Sequence, residues 1–176
     1  MESRNKFSLV VLVILIIFAL PIVMYNLVIL FLPNPDKPRV TYGEFPFEIT
    51  YEIDGDVKII SDIYVCKYKG VSITGAGKDR EWECYVKSTN ERNVCLFENE
   101  ECKIMCSVGS GEYYMGDSIW CEQIGSNMPS IFGYIKAKDD LMLETEIKEK
   151  YKINILEAKL SSPLTNNLRK RFLWYF

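Results

Sequence analysis

Hydrophobic positions divide the chain into two parts with different patterns. Residues 7–32 form a continuous apolar run of 26 residues that only Ser8, Pro21 and Asn26 interrupt. Because a helix rises about 1.5 Å per residue, such a run is about 39 Å long, which exceeds the ~30 Å hydrocarbon core of a bilayer. The pattern therefore predicts a single transmembrane helix at 7–32, preceded by a short N-terminal tail at 1–6.

The sequence around this run indicates how the helix would be used. Its apolar core is too long for a signal peptide and no A-x-A cleavage site follows it, so we expect an uncleaved signal anchor. Arg4 and Lys6 precede the run, whereas Lys37 and Arg39 follow it, so the positive-inside rule gives only a narrow margin. The short tail favours a single-pass protein of the cell membrane with its N terminus inside and its C-terminal domain extracellular. A cytoplasmic domain is the alternative.

The pattern changes after the apolar run. Three prolines lie within residues 33–41 and predict a stiff, extended linker. Phe45, Phe47 and Ile49 then alternate with polar positions, which is typical of a half-buried antiparallel strand. A β-rich domain is therefore expected to begin at residue 42.

A hairpin should follow the first strand. Asp54-Gly55 is the strongest two-residue signal for a tight turn between antiparallel strands. The return strand is expected at 57–68, with a bulge near Ile60 and Ser61 where the alternation changes phase. A glycine-rich loop is expected at 70–77.

One late helix interrupts the predicted strands. Leu143, Ile147 and Tyr151 share one face, Asp139 or Asp140 is the predicted N-cap, and Glu144 and Glu146 are placed to pair with Lys148 and Lys150. Further strands are expected at 82–87, 94–97, 102–108, 131–137 and 152–159. The predicted fold class is mainly β: an antiparallel sheet or small β-sandwich at 42–163 with one late α-helix, preceded by a single transmembrane helix.

Composition excludes several kinds of chemistry. The chain has no histidine, which removes Ser-His-Asp and Cys-His nucleophiles and histidine-based metal sites. Neither a GxxxxGK[ST] phosphate loop nor a GxGxxG fingerprint occurs. The net charge is −3 and the predicted domain is acidic, which argues against nucleic acid as a partner. We therefore predict no catalytic residues, no metal and no cofactor.

The six cysteines are candidates for disulfides if the domain is exported. They are Cys66, Cys84, Cys95, Cys102, Cys106 and Cys121. Cys66 with Cys84 is the first predicted bridge, because their strands should pair across the glycine-rich loop. Cys95 with Cys102 or Cys106 is the second. Buried, reduced thiols are the alternative, and structural zinc is disfavoured because no C-x₂-C pair exists.

Two segments are candidate contact sites. Tyr113, Tyr114, Met115 and Trp120 lie in a glycine-flanked loop, where exposed aromatic side chains would bind a protein partner or a sugar. The alternative is that they fold back to close the open end of the sheet.

The C-terminal tail at 164–176 is the second candidate. Arg169, Lys170, Arg171 and Trp174 combine cations with an aromatic ring, a mixture that suits an anionic membrane surface. The alternative is that the tail docks on its own domain or is frayed.

A series of motifs in the predicted domain resembles a known family. They are YGEFPF at 42–47, DIYVCKYKG at 62–70, the strand around Trp82, EYYMGD at 112–117 and EKYKINI at 149–155. In this order they resemble an uncharacterised family of small membrane-anchored or lipoprotein-like proteins of Clostridia and related Firmicutes. The resemblance implies a single-pass protein with a surface-exposed domain, and it implies no catalytic residues. The cysteines after Cys84 and the basic-aromatic tail depart from the family pattern.

The predicted function is a noncatalytic, membrane-anchored binding or interaction module displayed at the cell surface. Its expected partners are membrane lipid and either another membrane protein or a cell-surface ligand. The alternative is an accessory subunit of a membrane complex, joined through the transmembrane helix, in which Asn26 would hydrogen-bond a partner helix. An enzyme is the least favoured class.

Overall fold

A computed structural model describes residues 2–74, 77–117, 129–137 and 140–164, with side chains at residue 15 and from residue 17 onward. The chain forms two compact units. The first comprises Met1–Lys37 with Gly70–Glu81, and the second comprises Pro38–Lys69 with Trp82–Phe176.

The first unit contains a long helix, α1 (Glu2–Phe31), which includes Pro21. The last carbonyls of a helix have no partner within it, and here Lys78 Nζ donates to the carbonyl oxygens of Leu30 (2.9 Å) and Leu32 (2.8 Å). Arg80 is buried and its Nε donates to the carbonyl of Asp36 at 2.8 Å. A segment distant in sequence therefore satisfies the end of the helix and the chain that follows it.

The predicted membrane helix is matched only in part. The helix forms over the predicted run and begins earlier, at Glu2. Where side chains are described, no helix is both long and apolar enough to cross a membrane.

Most of a four-stranded antiparallel sheet, which we call sheet I, belongs to the second unit. Its strands are β1 (Tyr42–Ile53), β2 (Asp56–Thr74), β3 (Gly77–Val86) and β8 (Asn154–Leu160), in the order β3-β2-β1-β8. Residues 70–81, at the adjoining ends of β2 and β3, belong to the first unit. The hairpin between β1 and β2 forms as predicted. Asp54 and Gly55 have φ values of 51° and 88°, the left-handed conformation that a two-residue turn between twisted strands requires.

Two expectations for this sheet are wrong. No bulge occurs at Ile60 or Ser61, because the β1–β2 register runs without a shift from Tyr42↔Lys67 to Ile53↔Asp56. The glycine-rich loop at 70–77 is also largely strand, since β2 continues to Thr74 and β3 starts at Gly77. Glycine tolerates backbone angles that other residues avoid, so it interrupts the hydrophobic pattern there without ending the strands.

A second antiparallel sheet, which we call sheet II, completes the unit. Its strands are β4 (Val94–Glu98), β5 (Cys102–Ser107), β6 (Ser130–Ile135) and β7 (Asp140–Met142), in that order. The described part of the second unit also contains the helices α2 (Gly111–Tyr114) and α3 (Glu144–Tyr151). The two sheets share one core of buried side chains. Tyr51 Oη donates to the carbonyl of Leu96 at 2.9 Å, which joins sheet I to sheet II. The mainly β prediction is confirmed, because the described residues form two antiparallel sheets.

The late helix is shorter than predicted. Asp140 pairs with Ile135 in β7 and therefore is not the N-cap, while Asp139 lies outside the described residues. Helix α3 instead follows Leu143, whose backbone N–H donates to the carboxylate of Glu146 at 3.0 Å. The predicted pair of Glu144 and Lys148 forms at 2.7 Å.

Candidate functional site

The predicted aromatic contact loop contributes largely to the core. Tyr114 and Met115 are both 0% exposed. The ring of Tyr114 lies 4.8 Å from that of Phe45 and 5.4 Å from that of Tyr64, measured between centroids, and its hydroxyl donates to the carbonyl of Val108 at 2.7 Å. Burial raises the pKa of Tyr114. These two side chains therefore do not offer the exposed anchors that the sequence predicted.

The first turn of α2 explains why the loop folds inward. Ser110 Oγ accepts a hydrogen bond from the backbone N–H of Tyr113, an N-cap that starts the turn. A Cβ on Gly111 would collide with Cys84 Sγ and would lie 2.8 Å from Trp82 Cβ, so glycine lets α2 sit directly on β3. Capping and this close approach bring Tyr114 into the core, and neither is visible as hydrophobic periodicity.

The other predicted contact residues have different outcomes. Tyr113 is half-buried and contacts Tyr114 edge to face, with ring centroids 5.3 Å apart. Trp120 and the tail residues Arg169, Lys170, Arg171 and Trp174 lie outside the described residues. Their partner and membrane contacts stay predictions.

Two cysteines of sheet I meet across neighbouring strands. Cys66 lies on β2 and Cys84 on β3, and both are free thiols in the structure. The two thiols share a hydrogen bond, which together with burial holds the pKa of Cys66 far above its usual range. The first predicted pairing therefore has the required proximity, and the disulfide itself stays a prediction.

The cysteines of sheet II are not brought together in the same way. Cys95 stands opposite Met105, whereas Cys106 stands opposite Val94. Because side chains alternate along a strand, half-buried Cys95 points away from the core that holds Cys102 and Cys106. The second predicted bridge is therefore unsupported. Burial raises the pKa of Cys106 to about 12, and Cys121 lies outside the described residues.

Acidic side chains on the outer faces of both sheets are paired with lysines. Lys159 Nζ lies 2.7 Å from a Glu48 oxygen, and Lys136 Nζ lies 2.8 Å from a Glu98 oxygen. These lysines hold the pKa values of both carboxyls below their usual range. A general acid requires the opposite shift. In the described segments, no group of three Cys, Asp or Glu side chains is arranged to hold a metal ion.

Two clefts mark the surface of the second unit. One of about 340 Å³ runs beside β8, between that strand and α3, and is lined by Leu156, Glu144 and Lys148 among others. Another of about 300 Å³ is lined by Lys67, Glu83, Cys84, Tyr85, Asn90 and Arg92. The cleft beside β8 lies along a strand that ends sheet I.

The fold and these sites define the second unit as a β-sandwich with an edge groove and a cross-strand thiol pair. No family model, no curated protein and no solved structure matches the chain.

Proposed function

We propose that this protein is a noncatalytic interaction module held at the cell membrane by α1, with the β-sandwich exported to bind an extended polypeptide at the β8 edge. The observation that carries the proposal is the groove beside β8. The resemblance to small membrane-anchored proteins implies the same overall arrangement.

The apolar surface of α1 supports the anchor. Among the side chains of α1 that the structure describes, the large hydrophobic ones at Leu15 and from Ile17 to Phe31 are exposed with the exception of Ile29, and Phe18 is exposed by 71%. Exposed apolar area costs about 25 cal/mol per Å² relative to burial. A helix with this much apolar surface gains most in a bilayer, which is the predicted environment of residues 7–32.

The position of Asn26 weakens the accessory-subunit alternative. Its side-chain Nδ2 donates to the carbonyl of Ile22, one turn earlier in the same helix, at 2.7 Å. A donor satisfied within α1 contributes less to association with another helix. The anchor is therefore proposed to hold the protein at the membrane without specifying a partner helix.

The geometry of β8 favours an extended ligand. A strand at the end of a sheet has backbone donors and acceptors on one side that another strand can pair with. Leu156 of β8 is 52% exposed beside this edge, and Glu144 and Lys148 on α3 place both signs of charge along the groove. Backbone pairing would supply affinity, while the apolar and charged side chains would supply selectivity.

The state of the carboxylates supports a noncatalytic role. Glu44, like Glu48 and Glu98, has a lowered pKa, in this case through hydrogen bonds from Tyr42 and Lys87. Ionised, salt-bridged carboxylates on a sheet's outer face stabilise the surface and do not store a proton for transfer.

Site-specific photocrosslinking in intact cells tests the proposal. A photoreactive amino acid is placed at Leu156 of the full chain, and the matched control places it at Ile59, which is 63% exposed on β2. We expect a discrete protein adduct from position 156 and none from position 59. Equal adducts at both positions, or none at position 156, would contradict binding at the β8 edge.

A further inference from the structure

Side-chain contacts establish that Cys66 and Cys84 face each other across β2 and β3. The rings of Tyr68 and Trp82 meet edge to face, with centroids 5.6 Å apart. In an antiparallel pair, two residues back along one strand lie opposite two residues forward along the other. Together with the hydrogen bond between the two thiols, this contact makes Cys66 and Cys84 neighbours on the same face, where the β-carbons of directly opposite residues lie about 4.5–5.5 Å apart. A disulfide needs a β-carbon separation of about 3.5–4.5 Å, so only a small closure is required.

The two cysteine residues differ in their exposure to solvent. Cys66 is fully buried in the core, whereas Cys84 is half-buried at the same level of the sheet. Cys84 lies on β3 at the edge of sheet I and also lines the 300 Å³ cleft, whereas its chain neighbours Glu83 and Tyr85 point to the opposite face of the strand. Thiolates are the nucleophiles in thiol–disulfide exchange, and a reagent in solution can reach only a cysteine that is at least partly exposed.

We propose that Cys84 and Cys66 are a reversible redox pair in which Cys84 is the attacking thiol and Cys66 the resolving thiol. The oxidant is a low-molecular-weight disulfide. The Cys84 thiolate attacks one of its sulfurs, the reagent's S–S bond breaks, and the first thiolate leaves and takes up the proton lost by Cys84. Cys66 Sγ then attacks Cys84 Sγ, and the second thiolate leaves with the proton of Cys66. Two protein thiols are oxidised to one disulfide, and the reagent is reduced to two thiols.

The assignment of roles follows from geometry. A reagent disulfide cannot reach a sulfur with no exposed surface, whereas Cys66 needs no access to solvent to attack a sulfur that already contacts it. The resolving step is intramolecular between groups in contact, so the mixed disulfide should be short-lived in the native protein. The proposal does not depend on membrane anchoring or on the β8 groove.

Glutathione disulfide, added to the full chain in its membrane, tests the proposal. Differential alkylation and peptide mapping report each cysteine separately. In the native protein we expect a Cys66–Cys84 disulfide and little glutathione on either residue. In Cys66→Ser we expect glutathione to accumulate on Cys84. In Cys84→Ser we expect glutathione on Cys66 at a rate about tenfold lower or less, because that sulfur is buried.

The control is Cys95→Ser, which removes a half-buried cysteine from the other sheet and should leave formation of the Cys66–Cys84 bond unchanged. Faster adduct formation on Cys66 than on Cys84 would overturn the assignment of roles. Stable adducts on both cysteines of the native protein, without an internal bond, would overturn the pair itself. Brief oxidation of the native protein gives an independent measurement if a serine variant fails to fold, since the first mixed disulfide must then form at Cys84.

Discussion

Helix α1 and the β-sandwich use the same hydrophobic side chains in different ways. Ile22 in α1 is 64% exposed, whereas Ile49 in β1 is 0% exposed. The packing of the folded domain explains why Ile49 is hydrophobic, because the opposite sheet covers its side chain. Ile22 is not covered in this way by the described chain. How much its apolar side chain stabilises the protein therefore depends on the medium around the helix. This contrast separates residues that stabilise the fold from residues that would locate the protein.

The largest expected effect comes from placing charge on α1. Phe18→Lys combined with Val23→Lys should release the protein from membranes in alkaline carbonate extraction, because each lysine near the centre of a spanning helix costs about 2.5–3.5 kcal/mol. The matched control is Val57→Lys with Ile59→Lys, which charges two similarly exposed apolar positions on β2. The control should stay in the membrane pellet. Retention of the α1 variant in the pellet would argue against a spanning anchor.

Truncating an isoleucine should destabilise the β-sandwich but not α1, the reverse of the effect expected for the lysine substitutions. Ile49→Ala should lower the free energy of unfolding of the sandwich by about 2–5 kcal/mol, because it leaves a cavity in a packed core. Ile22→Ala should change that free energy by less than about 0.5 kcal/mol, as expected for an exposed position. Chemical denaturation of the full chain in detergent, followed by tryptophan fluorescence, measures both. Similar losses for the two variants would invalidate the distinction between the regions.

The smallest expected effect concerns the outer face of β1, where side chains are exposed and interact through ion pairs instead of hydrophobic packing. The pKa of Glu48 lies below its ordinary value of 4.5, first because Lys159 donates a hydrogen bond to it. A carboxyl whose pKa is lowered by folding stabilises the native state above the unfolded pKa, and this contribution is lost as pH falls through the folded pKa. Glu48→Gln should therefore lower Tm slightly at neutral pH and weaken the fall of Tm below about pH 4.5. Glu52→Gln, four residues along the same strand face, controls for the loss of one negative charge, and an identical response from both variants would contradict the role of Lys159.

Short-range sequence patterns predicted the elements of the fold that depend on interactions between residues close in sequence. The alternation from Phe45 to Ile53 and the Asp54-Gly55 turn defined the first hairpin, since each depends only on neighbouring residues. The pair of Glu144 and Lys148 was predictable for the same reason. The order of strands in the two sheets was not, because long-range pairing leaves no periodic signal in a single sequence.

The outcome for the candidate sites follows the same division. Cys66 and Cys84 were predicted to be close because their strands are joined by a short segment. The burial of Tyr114 was missed because it depends on the Ser110 cap and on the contact of Gly111 with β3. The α3 boundary was missed because Asp140 is an equally good helix cap and strand terminus, and pairing with Ile135 decides between them.

The bonds from Lys78 to the last carbonyls of α1 also bear on the order of events during synthesis. All residues of the helix leave the ribosome well before residue 78, so its C-terminal carbonyls can acquire this partner only after β2 has been made. Until then water or another donor satisfies them. The final turn of α1 is therefore completed late, by a cation that lies 46 and 48 residues further along the chain than the two carbonyls it binds.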